Sequence, residues 1–469
     1  MTAMMSLAQA AQWIANARLV GDANLQALRV HTDTRTIESG DLFVALQGER
    51  YDANDFLHEA QQRGALAVVC HAGLPVDKIP AGLARIEVAN TVLALQQLAT
   101  GWRKQFALPL IAITGSNGKT TVTQMVASIL DAYCPHGAAL ATRGNFNNDI
   151  GVPLTLLRLR ASHRMAVVEL GMNHPGEISV LAAMAQPTVA LVNNAQREHL
   201  EFMHTVEAVA QENGCVIASL PASGVAVYPS DDAHSALWRN VAAARRVLGF
   251  SMENYAQPTH LGCIHAEWAH GAWQVHARGL GVDLNYRLAI AGRHNVKNSL
   301  AAAACALAAG VSVTAVEQGL NGFVPVKGRS RALSLAAAGR KITLVDDTYN
   351  ANPDSVRAAI DVLADLPSPR MLVLGDMGEV GDHGPAFHAE AGRYAQAKGI
   401  EYFFATGAAT RSAIAEFPGA QHFASMDDLC AAAIATAPAV SSILVKGSRF
   451  MRMERVVESV MAHFSDGGH

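Results

Sequence analysis

The sequence predicts an α/β fold divided into three domains, and three observations carry that prediction. Short apolar runs with strand character alternate with helical patterns from Asp41 onward, as in mostly parallel sheets covered on both faces. At 469 residues the chain exceeds one core and suits about three domains. Half of the residues are hydrophobic and only 6% aromatic, with abundant alanine, which favours helices packed closely on sheets.

The first domain, a small α/β unit, is expected over residues 1–86. Ser6 to Ala17 places Leu7, Ala11 and Ile14 on one helical face, and a charged segment with Asp33-Thr34-Arg35 follows. Gly40 to Leu46 reads as a turn entering a strand, Phe56 to Arg63 as a helix, and Ala65 to Cys70 as another strand. Val92 to Trp102 is a helix that leads into the second domain, expected over 87–326. There Leu110 to Ile113, Met165 to Val168, Val189 to Val192 and Val225 to Tyr228 are strands, with helices such as Val206 to Leu220 between them. Gly262 to Arg278 alternates about His270-Gly271 and reads as a hairpin; Val296 to Ala309 is a helix stopped by Gly310. The third domain, 327–469, follows the Gly- and charge-rich stretch Pro325 to Arg331. Its strands are Ile342 to Val345, Met371 to Leu374, Tyr402 to Ala405 and Ile443 to Val445. The intervening helices, near Asp354 to Leu363, Pro385 to Ala397, Asp427 to Ala435 and Met451 to Ala462, make it a Rossmann-like doubly wound unit.

The chemistry is organised around Ile111-Ala-Ile-Thr-Gly115-Ser116-Asn117-Gly118-Lys119-Thr120-Thr121. A strand runs into a loop with glycines at 115 and 118 and then into a helix, so backbone N–H groups and a helix N-terminus converge where phosphate can bind. Lys119 neutralises phosphate, and Thr120 offers a hydroxyl to Mg2+. The strict pattern wants glycine at 113, where Ile113 stands, so the spacing is the shorter G-x-x-G-K-T. A plain structural turn has the same spacing; the strand-loop-helix context and the Lys-Thr pair favour ATP or GTP, and make the central domain a phosphate-loop ATPase-like, mostly parallel sheet.

Glu169 ends the apolar strand Met165 to Val168, where ligands of open α/β sheets sit, and is a candidate Mg2+ ligand or a solvent-facing acid. His199, in Glu198-His-Leu-Glu201, is a second candidate, although a lone histidine is more often a polar surface or core residue. Asp346-Asp347-Thr348-Tyr349-Asn350-Ala351-Asn352-Pro353 closes the first strand of the third domain; it suits a ribose, a phosphate-bound metal or an incoming amine, and is also a good helix start. His260, Cys263, His265, His270 and His276 have no zinc-ligand spacing, and zinc is rejected.

Net charge is −4 with both signs dispersed, which leaves no electrostatic footprint for nucleic acid or an anionic membrane. The six cysteines are scattered without a C-x-x-C pair and suit free thiols in a reducing cytoplasm. No signal peptide or membrane-inserted span is expected: the uncharged stretch Asn298 to Val316 is alanine-rich and broken by Gly310.

Taken together, these strings resemble the Mur ligase family of ATP-dependent amide ligases that build the peptide of bacterial cell-wall precursors. The resemblance spans the chain: Thr114 to Thr121, Gly144-Asn-Phe-Asn-Asn148 with Ile150-Gly-Val-Pro-Leu154, Val168 to Asn173, Gly292-Arg-His-Asn-Val-Lys-Asn298, Asp346 to Ser355, Leu374-Gly-Asp-Met-Gly-Glu379 and Val445-Lys-Gly-Ser-Arg449. It implies that ATP and Mg2+ drive the joining of D-alanyl-D-alanine to UDP-N-acetylmuramoyl-tripeptide through an acyl phosphate. By the same resemblance Lys119, Glu169 and His199 are catalytic, and Thr120, Glu169 and His199 hold Mg2+. Gly115 to Thr121, Asn295, Arg329 and Asp347 meet ATP. Thr34, Arg35, Asn145, Asn147 and Asn148 meet the UDP substrate, and Tyr349, Asn350, Asp376, Lys446 and Arg449 the dipeptide.

One position departs from the family. Where members commonly carry a lysine carbamoylated by CO2, this chain has Asn213, expected to ligate the metal directly or through water. The alternatives are a sister ligase adding one amino acid to the muramoyl peptide or to a folate, and a nucleotide-switched binding protein. An Asp-Asn-Pro-Arg string and an Asn-Lys-x-Asp motif, expected of one such sister and of a GTPase, are absent. A monomer is expected, open without ligands because its domains move independently.

Overall fold

Strand and helix alternate along the computed structural model, which describes residues 3–48, 51–253, 257–337 and 340–465, and the strands gather into three main sheets. The central sheet has nine strands. In spatial order they begin Ala139–Ala141, Met165–Glu169, Leu110–Thr114, Val189–Val192, Val225–Pro229, Arg246–Ser251 and His260–Ala269, all parallel. Ala272–Gly279 and Val282–Leu288 then add antiparallel, the first through the expected hairpin. Leu110–Thr114 thus lies between the strands that end at Glu169 and at Val192. The chain order reverses there, and the carboxyl ends of the strands open a crevice.

The first sheet has five strands, Arg18–Val20 antiparallel to Ala84–Val88, then Ala67–His71, Asp41–Val44 and Arg29–His31 in parallel. The first helix, Leu7–Trp13, begins at a Ser6 capping box and stops short of the expected Ala17. Helix Thr91–Arg103 buries Leu95, Leu98 and Trp102, and one continuous apolar cluster runs from Leu42 and Ile86 through these residues to Leu110, Val168 and Leu181. Each such side chain contributes about 2 kcal/mol on burial, so the first two domains are welded together. The expectation that all domains move independently therefore fails at this junction.

The third sheet has six strands. Arg331–Ala337 is antiparallel to Arg340–Asp347, and Ser442–Lys446, Arg370–Gly375, Tyr402–Thr406 and Gln421–Phe423 continue in parallel. The edge strand Arg331–Ala337 was not anticipated, because its Gly- and charge-rich approach masks the pattern. This domain has apolar clusters on its two faces, and it meets the central domain at Ala291 and Trp268 and otherwise through polar contacts. Its junction is the one suited to opening.

Candidate active site

Gly115 (φ +129°) and Gly118 (φ +82°) turn the chain from Leu110–Thr114 into helix Lys119–Tyr133. A β-carbon at 115 would lie 2.9 Å from the Asn193 backbone nitrogen, and one at 118 would lie 2.7 Å from Asn298 Oδ1, so side chains are excluded by conformation and by space. Asparagines hold the loop: Asn117 N–H donates to Asn194 Oδ1 at 2.8 Å, and Asn193 and Asn194 Nδ2 both donate to Asn117 O. Gly118 at the N-cap supplies no side-chain acceptor, which leaves the first N–H groups of the helix to a ligand.

The loop lines a cavity of about 1090 Å³. Ser116 to Thr121, Asn145, Asn147, Asn148, Glu169, His199 and Asn295 reach it from the central domain; Arg329, Asp347, Tyr349, Asn350 and Lys446 reach it from the third. Seventeen of the residues nominated from the sequence line it, with donors at the loop and carboxylates opposite. Glu169, 1% exposed, accepts from Thr120 Oγ1 at 3.1 Å and Asn147 Nδ2 at 2.7 Å through Oε1, while its buried Oε2 has no partner. Lys119 Nζ donates to Glu198 Oε1 at 2.7 Å, and Glu198 Oε2 is likewise buried and unpartnered. Burial opposes a proton on His199, but Glu198 and Glu379 flank the ring and hold its pKa up to about 9.

On the third-domain side, Lys446 is almost fully buried and donates to Asp347 Oδ2 and Asn350 O. Burial pushes the Asp347 carboxyl up, yet Lys446 brings it below the usual range. Lys446 is thus part of the cavity wall, where a surface ion pair was the plain alternative. Arg329 stacks on Tyr349 with its guanidinium 3.8 Å from the ring centroid. Asn295 Nδ2 donates to Ala291 O, and its Oδ1 accepts from Asn298.

The chain matches three family descriptions in order: Mur ligase family, catalytic domain, over residues 29–103; Mur ligase middle domain over 113–306; and Mur ligase, glutamate ligase domain, over 330–449. It is 39% identical over 450 residues to the UDP-N-acetylmuramoyl-tripeptide--D-alanyl-D-alanine ligase of Escherichia coli (strain K12), covering 95% of this chain and 96% of that one. The chain belongs to the Mur ligase family. It is therefore an enzyme of the ligase class. The Haemophilus influenzae relative of the same name is 37% identical, covering 97% and 98% of the two chains. MurF from Acinetobacter baumannii superposes with a TM-score of 0.88 at 34% identity, covering 97% of this chain and 98% of that one.

Three nominated positions depart from their expected places. Asp376 does not line the cavity; its Oδ1 accepts the Thr410 N–H, and it packs under Gly407, so it braces a loop. Arg449 is exposed and paired with Glu454, outside the lining. Asn213 is fully buried outside the cavity lining: its Oδ1 accepts from Thr114 Oγ1 at 2.7 Å, and its Nδ2 is buried without a partner. Thr34 and Arg35 lie on a short turn of the first domain away from this lining, Arg35 exposed and paired with Asp33. In the rejected zinc segment, His260 bonds Ser230 and Ser251, and His276 bonds Asp283.

Sequence reasoning missed Glu198, Glu379 and Arg197 as site residues. Glu198 and Glu379 stood inside strings already singled out, but only the folded chain shows that they flank His199.

Proposed function

We propose that this ligase joins D-alanyl-D-alanine to the terminal carboxylate of UDP-N-acetylmuramoyl-tripeptide, with ATP cleaved to ADP and phosphate. The observation that carries this reading is the cavity in which a phosphate loop and half-satisfied carboxylates of the central domain face Arg329, Asp347 and Lys446 of the third. Near-full-length identity to ligases of that name supports the substrate assignment.

Residues 1–86 hold the UDP end, with Thr34 and Arg35 as contacts; residues 87–326 bind ATP; residues 327–469 bring the dipeptide and close. The tripeptide carboxylate attacks the γ-phosphorus, displacing ADP and becoming an acyl phosphate. The free amine of the dipeptide then adds to the acyl carbon, and the tetrahedral intermediate expels phosphate and leaves an amide. Gly115 to Thr121 and Lys119 cradle the phosphates, and Asn295, Arg329 and Asp347 orient the nucleotide. Asn145, Asn147 and Asn148 line the path of the carboxylate, and Tyr349, Asn350 and Lys446 that of the amine.

The unpartnered buried oxygens of Glu169 and Glu198 fit a divalent cation. Thr120, Glu169 and, once its ring has given up the proton that Glu198 and Glu379 hold there, His199 would hold Mg2+, which when bound would spread the charge developing on the transferring phosphoryl group. Every residue invoked belongs to one chain, so a monomer suffices. Among the described residues no helix is long and apolar enough to cross a membrane, and the six cysteines are free, which supports a cytoplasmic reaction.

The test is phosphate release with Mg-ATP and UDP-N-acetylmuramoyl-tripeptide, comparing D-alanyl-D-alanine with single amino acids. Release only with the dipeptide, abolished in Lys119→Ala, is expected. Release with a single amino acid would instead assign a sister ligase.

A further inference from the structure

Lys119, the cation of the phosphate loop, is turned inward. Its Nζ donates to Gly115 O at 2.6 Å, Ser116 O at 3.0 Å and Glu198 Oε1 at 2.7 Å. An ammonium has three hydrogens, and all are committed to the protein. A phosphate oxygen that binds Lys119 must displace one of these acceptors. Glu198 is the one that bears a charge.

The Glu198 side chain is 10% exposed. Its Oε1 lies 2.7 Å from the Lys119 ammonium, so the contact is a charge-assisted hydrogen bond. Oε1 faces Lys119 with His199 Nε2 at 3.5 Å, and Oε2 is buried without a partner. Parting such a carboxylate from Lys119 leaves a buried charge poorly compensated, which is costly. A divalent cation beside it removes that cost. Glu169, whose own Oε2 is also buried and unpartnered, stands beside the same loop through Thr120.

We propose that Glu198 competes with phosphate for Lys119, and that the displaced carboxylate becomes a ligand of the divalent cation accompanying the nucleotide. Nucleotide affinity is thereby coupled to the cation through a residue outside the Thr120, Glu169 and His199 set. The inference rests on the nucleotide reading of the cavity.

The experiment is isothermal titration of the full chain with ADP, in EDTA and in Mg2+, for wild type, Glu198→Gln and Glu198→Asp. The lost Lys119 contact is a charge-assisted hydrogen bond, so ADP binds Glu198→Gln about tenfold tighter than wild type in EDTA. The tightening produced by Mg2+ shrinks by a similar factor, and Glu198→Asp, which withdraws the carboxylate by one methylene, shifts both in the same direction. In a Lys119→Met background the EDTA gain disappears, because there is no ammonium left to compete for. Unchanged or weaker binding of Glu198→Gln in EDTA, an undiminished Mg2+ effect, or a gain that survives Lys119→Met would each overturn the proposal. Absence of ADP binding to wild type in both buffers would overturn the nucleotide reading itself, and the proposal with it.

Discussion

Replacing Arg197 by Met loosens the third domain from the central one. Arg197 follows strand Val189–Val192, and its guanidinium crosses the domain gap. It donates to Asp354 Oδ1 at 2.7 Å and to Glu390 Oε2 at 2.8 Å, its backbone N–H donates to Asp354 Oδ2 at 2.8 Å, and it stacks 5.3 Å from the Phe387 ring centroid. The side chains of Arg197, Asp354 and Glu390 are 25%, 23% and 28% exposed. Buried charge-assisted hydrogen bonds contribute about 1.5–3 kcal/mol each and exposed ion pairs about 0.2–1 kcal/mol, so a pair of quarter-exposed contacts sits between. Glu390 keeps Arg357 at 3.0 Å and the Arg197 backbone bond to Asp354 survives, which limits the loss. The substitution therefore costs about 2 kcal/mol of interdomain free energy, or roughly thirtyfold in the ratio of closed to open molecules. Single-molecule energy transfer between dyes on the central and third domains reads that ratio directly, and phosphate release reads the accompanying loss of turnover. A closed fraction within threefold of wild type would refute the assignment of Arg197 as the main tie between these domains.

Glu169→Gln removes the carboxylate beside Thr120 and should lower the rate of phosphate release by about 10²-fold or more, with the fold intact by circular dichroism. Asn213 offers no amine to CO2, so the rate should be unchanged in CO2-depleted buffer; a clear loss would return this position to the metal site. Asn213→Leu strands the buried Thr114 hydroxyl and should cost about 1–3 kcal/mol in urea unfolding, with no unfolding penalty counting against the hydrogen bond at 2.7 Å. Glu390 is held below its ordinary value of 4.5 by Arg197, with burial opposing and Arg357 assisting. A depressed carboxylate stabilises fully above its unfolded value and loses that contribution as pH falls through the folded one. Interdomain closure should accordingly persist below pH 4.5 in wild type before weakening, and this acid-dependent step should be absent in Arg197→Met, where Glu390 has no partner across the gap, as followed by energy transfer across an acid titration.

What the sequence made legible was local. Strand Leu110–Thr114, the two glycines and helix Lys119–Tyr133 are contiguous, and the apolar run before Glu169 places its carboxylate at a strand end. What it hid was set by sheet order and by partners far along the chain. Lys446 meets Asp347 only because Ser442–Lys446 inserts beside Arg340–Asp347, and Asp376 turns to Thr410 because its strand lies next to Tyr402–Thr406. Asn213 was aligned with the metal by counting from His199, yet a count along a helix does not say which atom Thr114 will occupy.

The segment Arg197-Glu198-His199 shows the same division most sharply. The residues are consecutive, but Arg197 faces Asp354 and Glu390, Glu198 faces Lys119, and His199 faces Glu379. His199 has a φ of +49°, a left-handed conformation that a non-glycine residue keeps only when its surroundings impose it. Here the carboxylates of Glu198 and Glu379 on either side of the ring supply that constraint. A phosphate that draws Lys119 away from Glu198 therefore acts on a backbone segment whose flanking residues are both tied to the third domain. Nucleotide binding and domain closure meet in three adjacent residues, which is why perturbing Glu198 should be read in affinity and perturbing Arg197 in conformation.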